Sequence, residues 1–184
     1  MVLTKTPICN FGEKTKSFEL KGIDGQLHKL EDHIGKNGLL IMFICNHCPY
    51  VKAIIRDIVE DCKNLKKEGV NSIAIMSNDT KEYPEDSFEN MKIFSKKFNF
   101  SFPYLIDETQ EIAKEYGAVC TPDFFGYNSK LELQYRGRIR ELKDLKPINS
   151  GESDLSKAMH LIIKTGEGPK DQIPSMGCNI KWTK

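Results

Sequence analysis

Two cysteines separated by two residues are the chain's clearest candidates for redox chemistry. The segment Cys45-Asn46-His47-Cys48 brings two thiols and an imidazole together. It stands between an apolar run that predicts a buried strand and a periodic segment that predicts an amphipathic helix, which is the usual context of a redox dithiol. A thiolate at a helix start is stabilised by unpaired backbone N–H groups and by the helix dipole, which lower its pKa. The spacing therefore predicts a reversible Cys45–Cys48 disulfide, with His47 as a cation that favours the thiolate.

The sequence allows two positions for the start of this helix, and they activate different thiols. With the helix beginning at Cys45, we expect Cys45 to be the exposed nucleophile and Cys48 the more buried resolving thiol. If the helix instead begins after Cys48, Pro49 takes the first helical position, where proline is favoured, and Cys48 becomes the activated thiol. Both interpretations stay open at this point.

The same side chains could bind a metal instead. A structural zinc site would need a second close pair of cysteines or histidines, and the sequence offers none. Copper or another thiophilic metal on Cys45, His47 and Cys48 remains an alternative function. We predict redox chemistry with no cofactor and no metal.

A second candidate region is the segment Val119-Cys120-Thr121-Pro122. Pro122 opens a strand-like run that we expect to lie antiparallel to the strand before Cys45, which returns it to the same end of the sheet. A cis bond there would expose the preceding backbone for pairing with an extended substrate. We therefore predict a cis Thr121–Pro122 bond and assign both residues to the catalytic site.

The other cysteines have weaker signals. Cys120 precedes Pro122 by two residues, so we expect it close enough to the cysteine pair to act as an auxiliary thiol. Cys178 is expected to be farther away, in a tail that Ile180 and Trp182 anchor on the fold. Cys62 falls on the apolar stripe of the predicted helix and is interpreted as a core residue.

The elements that position these residues follow from hydrophobic periodicity. The pattern predicts a hairpin (17–20 and 27–29), strands at 39–44, 72–76, 104–106, 124–127 and 131–136, helices at 50–67, 85–98 and 109–116, and a last helix capped by Ser153. Strand–helix–strand units with short loops imply a parallel central pair, and the two late strands add an antiparallel edge. The predicted fold class is α/β with one mixed sheet, followed by an ordered tail without further elements.

Composition narrows the function classes. The 184 residues carry 27 Lys+Arg against 26 Asp+Glu, and a net charge of +1 does not favour nucleic acid as a partner. The longest apolar run, residues 39–45, is far shorter than the ~20 residues that span a bilayer. The first residues lack the pattern of a signal peptide. We therefore expect a cytoplasmic protein with neither a membrane nor a nucleic acid as partner.

Several stretches spread over nearly the whole chain carry a resemblance to a known family. They are Cys45-Asn46-His47-Cys48-Pro49-Tyr50-Val51-Lys52, Ser77-Asn78-Asp79, Tyr83-Pro84-Glu85-Asp86-Ser87-Phe88, Asp107-Glu108-Thr109-Gln110, residues 118–125, Tyr135-Arg136-Gly137-Arg138 and Gly177-Cys178-Asn179-Ile180-Lys181-Trp182. Together they resemble the thioredoxin-fold superfamily, and within it the peroxiredoxin-like redoxin group with alkyl hydroperoxide reductase/thiol-specific antioxidant domains. The resemblance implies one thioredoxin-like domain over 1–184, with a core of about 17–165, a tail at 166–184, an N-terminal hairpin and an inserted helix.

Departures from the peroxiredoxin pattern weaken a peroxidase function. Peroxiredoxins resemble Pro-x-x-x-Thr/Ser-x-x-Cys, and a pattern that ends on Cys48 has Ile41 and Cys45 at those places. The peroxide-activating arginine of that family lies near the position where this chain has Thr121 and Pro122.

Departures from the thioredoxin pattern concern proton transfer. Ile44 replaces the tryptophan before the first cysteine, and Leu39 replaces the buried aspartate. Proton transfer must then use another group, such as His47, Asp79 or water. The Asn-His pair between the cysteines is closer to disulfide isomerases and oxidases.

The predicted function is thiol-disulfide exchange through Cys45 and Cys48. Its partners would be a disulfide-containing protein or a small-molecule thiol or peroxide, with a reductase or thiol as electron donor, and a monomer or homodimer as the assembly. The alternative is a thiol peroxidase in which Cys48 meets peroxide, forms a sulfenic acid and condenses with Cys45 or Cys120.

Overall fold

The computed structural model of the protein describes residues 2–184. Its strands, in chain order, are β1 Leu3–Lys5, β2 Glu19–Gly22, β3 Leu27–Lys29, β4 Gly38–Phe43, β5 Val70–Met76, β6 Tyr104–Ile106, β7 Cys120–Thr121, β8 Asp123–Asn128, β9 Leu133–Tyr135, β10 Leu142–Lys143, β11 Lys146–Pro147 and β12 Met176–Asn179. Its α-helices are α1 Pro49–Lys67, α2 Phe88–Phe98, α3 Glu111–Glu115 and α4 Asp154–Thr165.

A seven-stranded sheet forms the centre of the molecule, in the order β3-β2-β6-β5-β4-β8-β9. Strand β4 is parallel to β5 and antiparallel to β8. All six β4 residues are buried, which explains why this strand is a continuous apolar run rather than an alternating one. The predicted mixed α/β sheet, with its parallel central pair and antiparallel edge, is confirmed.

Helices cover the sheet on both faces. Side chains of α1, α2 and α4 pack with Leu40 and Met42 on one face, while Ala113 of α3 packs with Leu39 and Ile41 on the other. Six of the seven buried residues of α1 are apolar, and they lie along one face of the helix because residues such as Val51, Ile55 and Ile58 recur every three or four positions. This long helix is therefore held firmly at the sheet, with its first turn at the carboxyl end of β4.

Helix α2 begins later than predicted. The sequence indicated a helix from residue 85, but residues 84–86 form a short 3-10 turn and Ser87 then caps α2, accepting a hydrogen bond from the Asn90 backbone N–H. The turn leaves the Asp86 side chain outside the helix, where it is buried completely.

The prediction that the tail lacks secondary structure is wrong. Strand β12 is the middle strand of a second, three-stranded sheet in the order β1-β12-β7, and it is antiparallel to both neighbours. Ile180 is buried as expected, whereas Trp182 is 39% exposed and contacts the Lys114 ammonium. A four-residue strand that contains a glycine shows too little alternation to be found from its own sequence.

Within residues 2–184, no helix is both long and apolar enough to cross a membrane.

Candidate active site

The two cysteines of the Cys45-Asn46-His47-Cys48 segment lie in the loop between β4 and α1. Cys48 has an extended backbone and is the N-cap residue of α1, and Pro49 occupies the first helical position. The second of the two predicted helix starts is therefore the correct one, because proline needs no intrahelical hydrogen bond there. Cys48, not Cys45, lies at the end of the helix that favours a thiolate.

The expectation that Cys45 is exposed is wrong. Both Cys45 and Cys48 have 0% of their surface exposed. The Cys45 Sγ lies 3.2 Å from the Thr121 Oγ1, in a buried hydrogen bond. Burial, and then the hydrogen bond with Cys48, raise the pKa of the Cys45 thiol well above its ordinary value. Cys45 is the thiol of the pair that stays protonated.

The Cys48 thiol has the opposite electrostatic environment. Hydrogen bonds from the thiols of Cys45 and Cys178 and from the Val51 backbone N–H outweigh desolvation and lower the pKa of Cys48 to about 5. When Cys48 is protonated, its Sγ donates to the Thr121 carbonyl oxygen over 3.2 Å. Of the two motif thiols, Cys48 is therefore the one whose environment favours the thiolate.

Thr121 lies beside both sulfurs, and Pro122 follows it in the chain. The Thr121–Pro122 bond is cis, which confirms that prediction. Thr121 contacts Cys45 through its hydroxyl and Cys48 through its carbonyl oxygen. The antiparallel register pairs Phe43 at the end of β4 with Asp123 at the start of β8, which places Thr121 and Pro122 at the same edge of the sheet.

His47 is bound to a buried carboxylate. Its Nδ1 lies 2.6 Å from the Asp86 Oδ2, which also accepts from the Asn78 side chain over 2.8 Å. The other oxygen accepts from the backbone N–H groups of Asn46 (2.7 Å) and His47 (3.2 Å). Burial opposes ionisation of Asp86, but the hydrogen bonds from His47 and Asn78 lower its pKa, and the Asp86 hydrogen bond in turn raises the pKa of His47.

Asp86 is the site residue that the sequence analysis did not select. Asp79, which was considered for proton transfer, donates its backbone N–H to the Lys181 carbonyl and accepts from the Lys81 N–H. These bonds stabilise the loop of Asp79 and join it to the tail at Lys181. Asp86 belongs to a stretch that carried the family resemblance, but its place beside His47 depends on a contact between residues 39 positions apart.

The expectation that Cys178 lies farther from the cysteine pair than Cys120 is wrong. The Cys120 Sγ lies 3.7 Å from the Pro122 carbonyl oxygen, and burial raises its pKa. The sulfur next to Cys48 is that of Cys178, at a distance of 2.8 Å. Cys120 and Thr121 are consecutive strand residues, so their side chains point to opposite faces, and Thr121 is the one that faces Cys45.

Cys62 is a core residue, as predicted. Its Sγ lies 3.9 Å from the Met42 Sδ, and burial raises its pKa to about 12. It is therefore an unreactive thiol inside the apolar layer under α1.

Among the described residues, one cluster has ligand atoms close enough together to be examined as a metal site. Ligand atoms of Cys45, His47 and Asp86 lie within 4.8 Å of one another. Asp86 is already used by His47, Asn78 and two backbone N–H groups. The arrangement is better suited to fixing the imidazole beside the thiols than to binding an ion.

Comparisons with known proteins agree with this chemistry. The profile of the AhpC/TSA family matches residues 11–142. A curated relative from Bacillus thuringiensis subsp. konkukian is named thiol-disulfide oxidoreductase ResA; it is 27% identical over 122 residues, which are 66% of this chain and 66% of that protein. The matched part of the chain thus spans just under two thirds of that relative's length.

Solved structures show the same architecture. An uncharacterized conserved protein from Geobacillus kaustophilus is 38% identical, with a TM-score of 0.94, over 100% of this chain and 97% of that one. A thiol:disulfide interchange protein of the thioredoxin family from Chlorobium tepidum is 17% identical, with a TM-score of 0.62, over 83% and 97% of the two chains. At that identity the likeness shows the fold alone, and the fold is the thioredoxin fold that the sequence analysis predicted.

Proposed function

The chain belongs to the AhpC/TSA family, and we propose that it is a thiol-disulfide oxidoreductase in which Cys48 is the attacking thiolate and Cys45 its partner in the motif. The observation that carries this proposal is the pair of opposite environments: Cys48 is the helix N-cap with a lowered pKa, and Cys45 is a buried thiol with a raised one. Two thiols held in different protonation states are what sequential thiol exchange requires.

The reaction follows from that asymmetry. The Cys48 thiolate attacks one sulfur of a substrate disulfide, forms a mixed disulfide and releases the other sulfur as a thiolate, which takes a proton. Cys45 then loses its proton and attacks the Cys48 Sγ, which releases the second substrate thiol. The substrate gains two electrons and two protons, and the chain gains one Cys45–Cys48 disulfide.

The other site residues assist this exchange by position and charge. Thr121 holds the Cys45 sulfur through its hydroxyl at 3.2 Å and is close enough to take part in the release of its proton. Protonated His47, held by Asp86, places a positive charge in the same loop as the thiolate. The imidazolium interacts favourably with the Cys48 thiolate, and this favours the reduced form of the dithiol.

We propose disulfide-containing proteins or small disulfides as substrates and an external thiol or dithiol as electron donor. We also propose the cytoplasm as the compartment. The support is composition: six cysteines in 184 residues are too few for a disulfide scaffold, which fits a protein whose thiols stay reduced. Cell fractionation with an antibody to the protein tests the location.

A thiol peroxidase is the second candidate, because the family and the lowered pKa of Cys48 fit it as well. In that reaction the Cys48 thiolate attacks one peroxide oxygen, water or an alcohol leaves, and a second thiol condenses with the sulfenic acid. The arginine nearest in sequence to Thr121 and Pro122 is Arg136, which donates to the Asp123 carboxylate and to the Gly117 carbonyl oxygen. It is thus engaged in a buried ion pair rather than directed at Cys48.

One assay separates the two functions. The reduced protein is mixed with dithiothreitol as donor and either a peptide disulfide or hydrogen peroxide as acceptor. We expect turnover of the peptide disulfide, loss of turnover in Cys48→Ser, and retained turnover in Cys62→Ala, a matched change at a buried core thiol. Peroxide turnover without disulfide turnover would replace the proposal with the second candidate.

A further inference from the structure

A third sulfur contacts the reacting thiol. The Cys178 Sγ lies 2.8 Å from the Cys48 Sγ, although the two residues are 130 positions apart. A disulfide bond is about 2.05 Å long, so a displacement of less than about 1 Å separates these atoms from bonding. Cys178 is 1% exposed, and it is therefore held at the site rather than brought there by a mobile end.

Strand β12 holds Cys178 in this position. Its register pairs Cys178 with Thr121 on one side and with Leu3 on the other. A Cβ atom on Gly177 would lie 1.9 Å from the Thr121 carbonyl oxygen. Only glycine permits this close approach of β12 to β7, and the approach is what brings the Cys178 sulfur to Cys48.

The same strand covers the place where a substrate would bind. Extended peptides are commonly recognised by adding a strand to an exposed edge. The edge of β7, whose Thr121 contacts both sulfurs, is already paired with β12 of the same chain. Cys48, whose sulfur contacts Cys178 of β12, is fully buried. The chain's own cysteine-bearing strand thus occupies the position of a substrate strand.

We propose that Cys178 is a third redox thiol of this protein, which takes over the disulfide from the Cys45–Cys48 pair by bonding to Cys48. The inference rests on the proposed function. Cys178 loses its proton, attacks the Cys48 Sγ and forms the Cys48–Cys178 bond, while the Cys45–Cys48 bond breaks and Cys45 leaves as a thiolate that takes up the proton. One disulfide is exchanged for another, so this step requires no external oxidant or reductant.

The surroundings of the three sulfurs fit this exchange. Cys48 has hydrogen-bond contacts with both Cys45 and Cys178, so it is the sulfur common to both disulfides. Burial and the contact with Cys48 raise the pKa of Cys178 to about 12, which keeps it protonated until the exchange occurs. Because Cys178 is on a terminal strand and Cys45 follows the central strand β4, the exchange moves the disulfide from the core to the element that covers the site.

Disulfide mapping tests the proposal. The wild-type protein and the variants Cys45→Ser, Cys178→Ser and Cys48→Ser are oxidised with diamide, quenched in acid, alkylated and digested for mass spectrometry. We expect both Cys45–Cys48 and Cys48–Cys178 links in the wild type, the Cys48–Cys178 link alone in Cys45→Ser, the Cys45–Cys48 link alone in Cys178→Ser, and no intramolecular link in Cys48→Ser.

A wild type with the Cys45–Cys48 link alone, together with a Cys45→Ser variant that forms none, would overturn the inference. If Cys45→Ser does not fold, the wild-type map decides alone. The proposed function is tested separately by peptide disulfide turnover, since wild-type turnover with no Cys48–Cys178 link refutes only the role of Cys178.

A substitution in the backbone contact between β12 and β7 tests whether β12 covers Cys48. In Gly177→Ala the added Cβ forces β12 away from β7, so we expect alkylation of Cys48 in the reduced protein to become about tenfold faster or more, with less Cys48–Cys178 link on oxidation. Gly151→Ala is the matched control, because nothing lies within 4 Å of its added Cβ. Equal alkylation rates in the two variants would contradict the covering role of β12.

Discussion

The His47 imidazole and the Asp86 carboxylate form a 2.6 Å contact between the Nδ1 and Oδ2 atoms, in which the carboxylate is completely buried. The aspartate also accepts the backbone N–H groups of Asn46 and His47, so it fixes the loop that joins the two cysteines. One side chain therefore determines both the shape of this loop and the charge on its histidine.

The charge of His47 leads to a prediction for the redox equilibrium. Protonated His47 favours the Cys48 thiolate and hence the reduced form, so His47→Ala should lower the midpoint potential. We expect the midpoint potential to fall by more than about 10 mV. For comparison, a tenfold change in the equilibrium constant corresponds to ~30 mV. Equilibration with glutathione measures the potential. His160→Ala is the control, since His160 is bound to Glu68 and Glu152 instead, and equal potentials for both variants would show that His47 has no electrostatic role.

The His47–Asp86 pair also predicts how stability depends on pH. The pKa of His47 is raised by folding, so its contribution is complete below about pH 6.5 and is lost as the pH rises through the folded-state value. The pKa of Asp86 is lowered, so its contribution is present above about pH 3.9 and is lost as the pH falls through the folded-state value. The pair stabilises the fold most between these two limits.

The variant Asp86→Asn should reveal this window. We expect a loss of about 1–3 kcal/mol in the free energy of unfolding near pH 5.5, since charged hydrogen bonds to a buried group are removed. At a pH above the folded-state pKa of His47 the loss should be smaller, because His47 is then neutral in the wild type. Urea denaturation at both pH values measures the difference, and a loss that is the same at both would contradict the charged pair.

Ionisation of Cys48 can be measured directly. The ultraviolet absorbance of the thiolate in the reduced protein should titrate with a pKa of about 5. Cys45→Ala should raise this pKa, because the Cys45 hydrogen bond is the largest contribution that lowers it. Cys48→Ser should abolish the transition. A wild-type transition near the ordinary thiol value of about 8.5 would show that Cys48 is not activated.

Arg136 and Asp123, the residue after Pro122, form a buried ion pair with the Nη2 and Oδ2 atoms 3.0 Å apart. Arg136→Ala should destabilise the protein by about 3–5 kcal/mol, because it leaves a buried carboxylate unpaired. Arg138→Ala is the matched control: Arg138 pairs with Asp154 nearer the surface, where a pair contributes at most about 1 kcal/mol. Denaturation curves measure the free energy of unfolding of both variants. Similar losses would show that the buried Asp123–Arg136 pair stabilises the protein no more than the surface pair does.

The sequence alone determined most elements of the central sheet, the long helices and the position of the main dithiol. Strand β4 is an uninterrupted apolar run, and α1 repeats its apolar residues with helical period. Patterns of this kind are local and involve many residues, so they can be recognised without knowledge of tertiary contacts. Thr121 and Pro122 could be brought to the cysteines as well, because the antiparallel direction of β8 follows from the order of elements.

Tertiary structure decided which thiol is activated and what surrounds it. Pro49 already made Cys48 one of two candidates, but only the folded chain shows the burial of Cys45 and the approach of Cys178. Asp86 and Cys178 reach the site through a 3-10 turn and a four-residue strand, each held by partners far away in the chain. Periodicity reports which face of an element is buried, whereas desolvation and hydrogen bonding of a thiol depend on atoms from unrelated segments, and those meet only when the chain has folded.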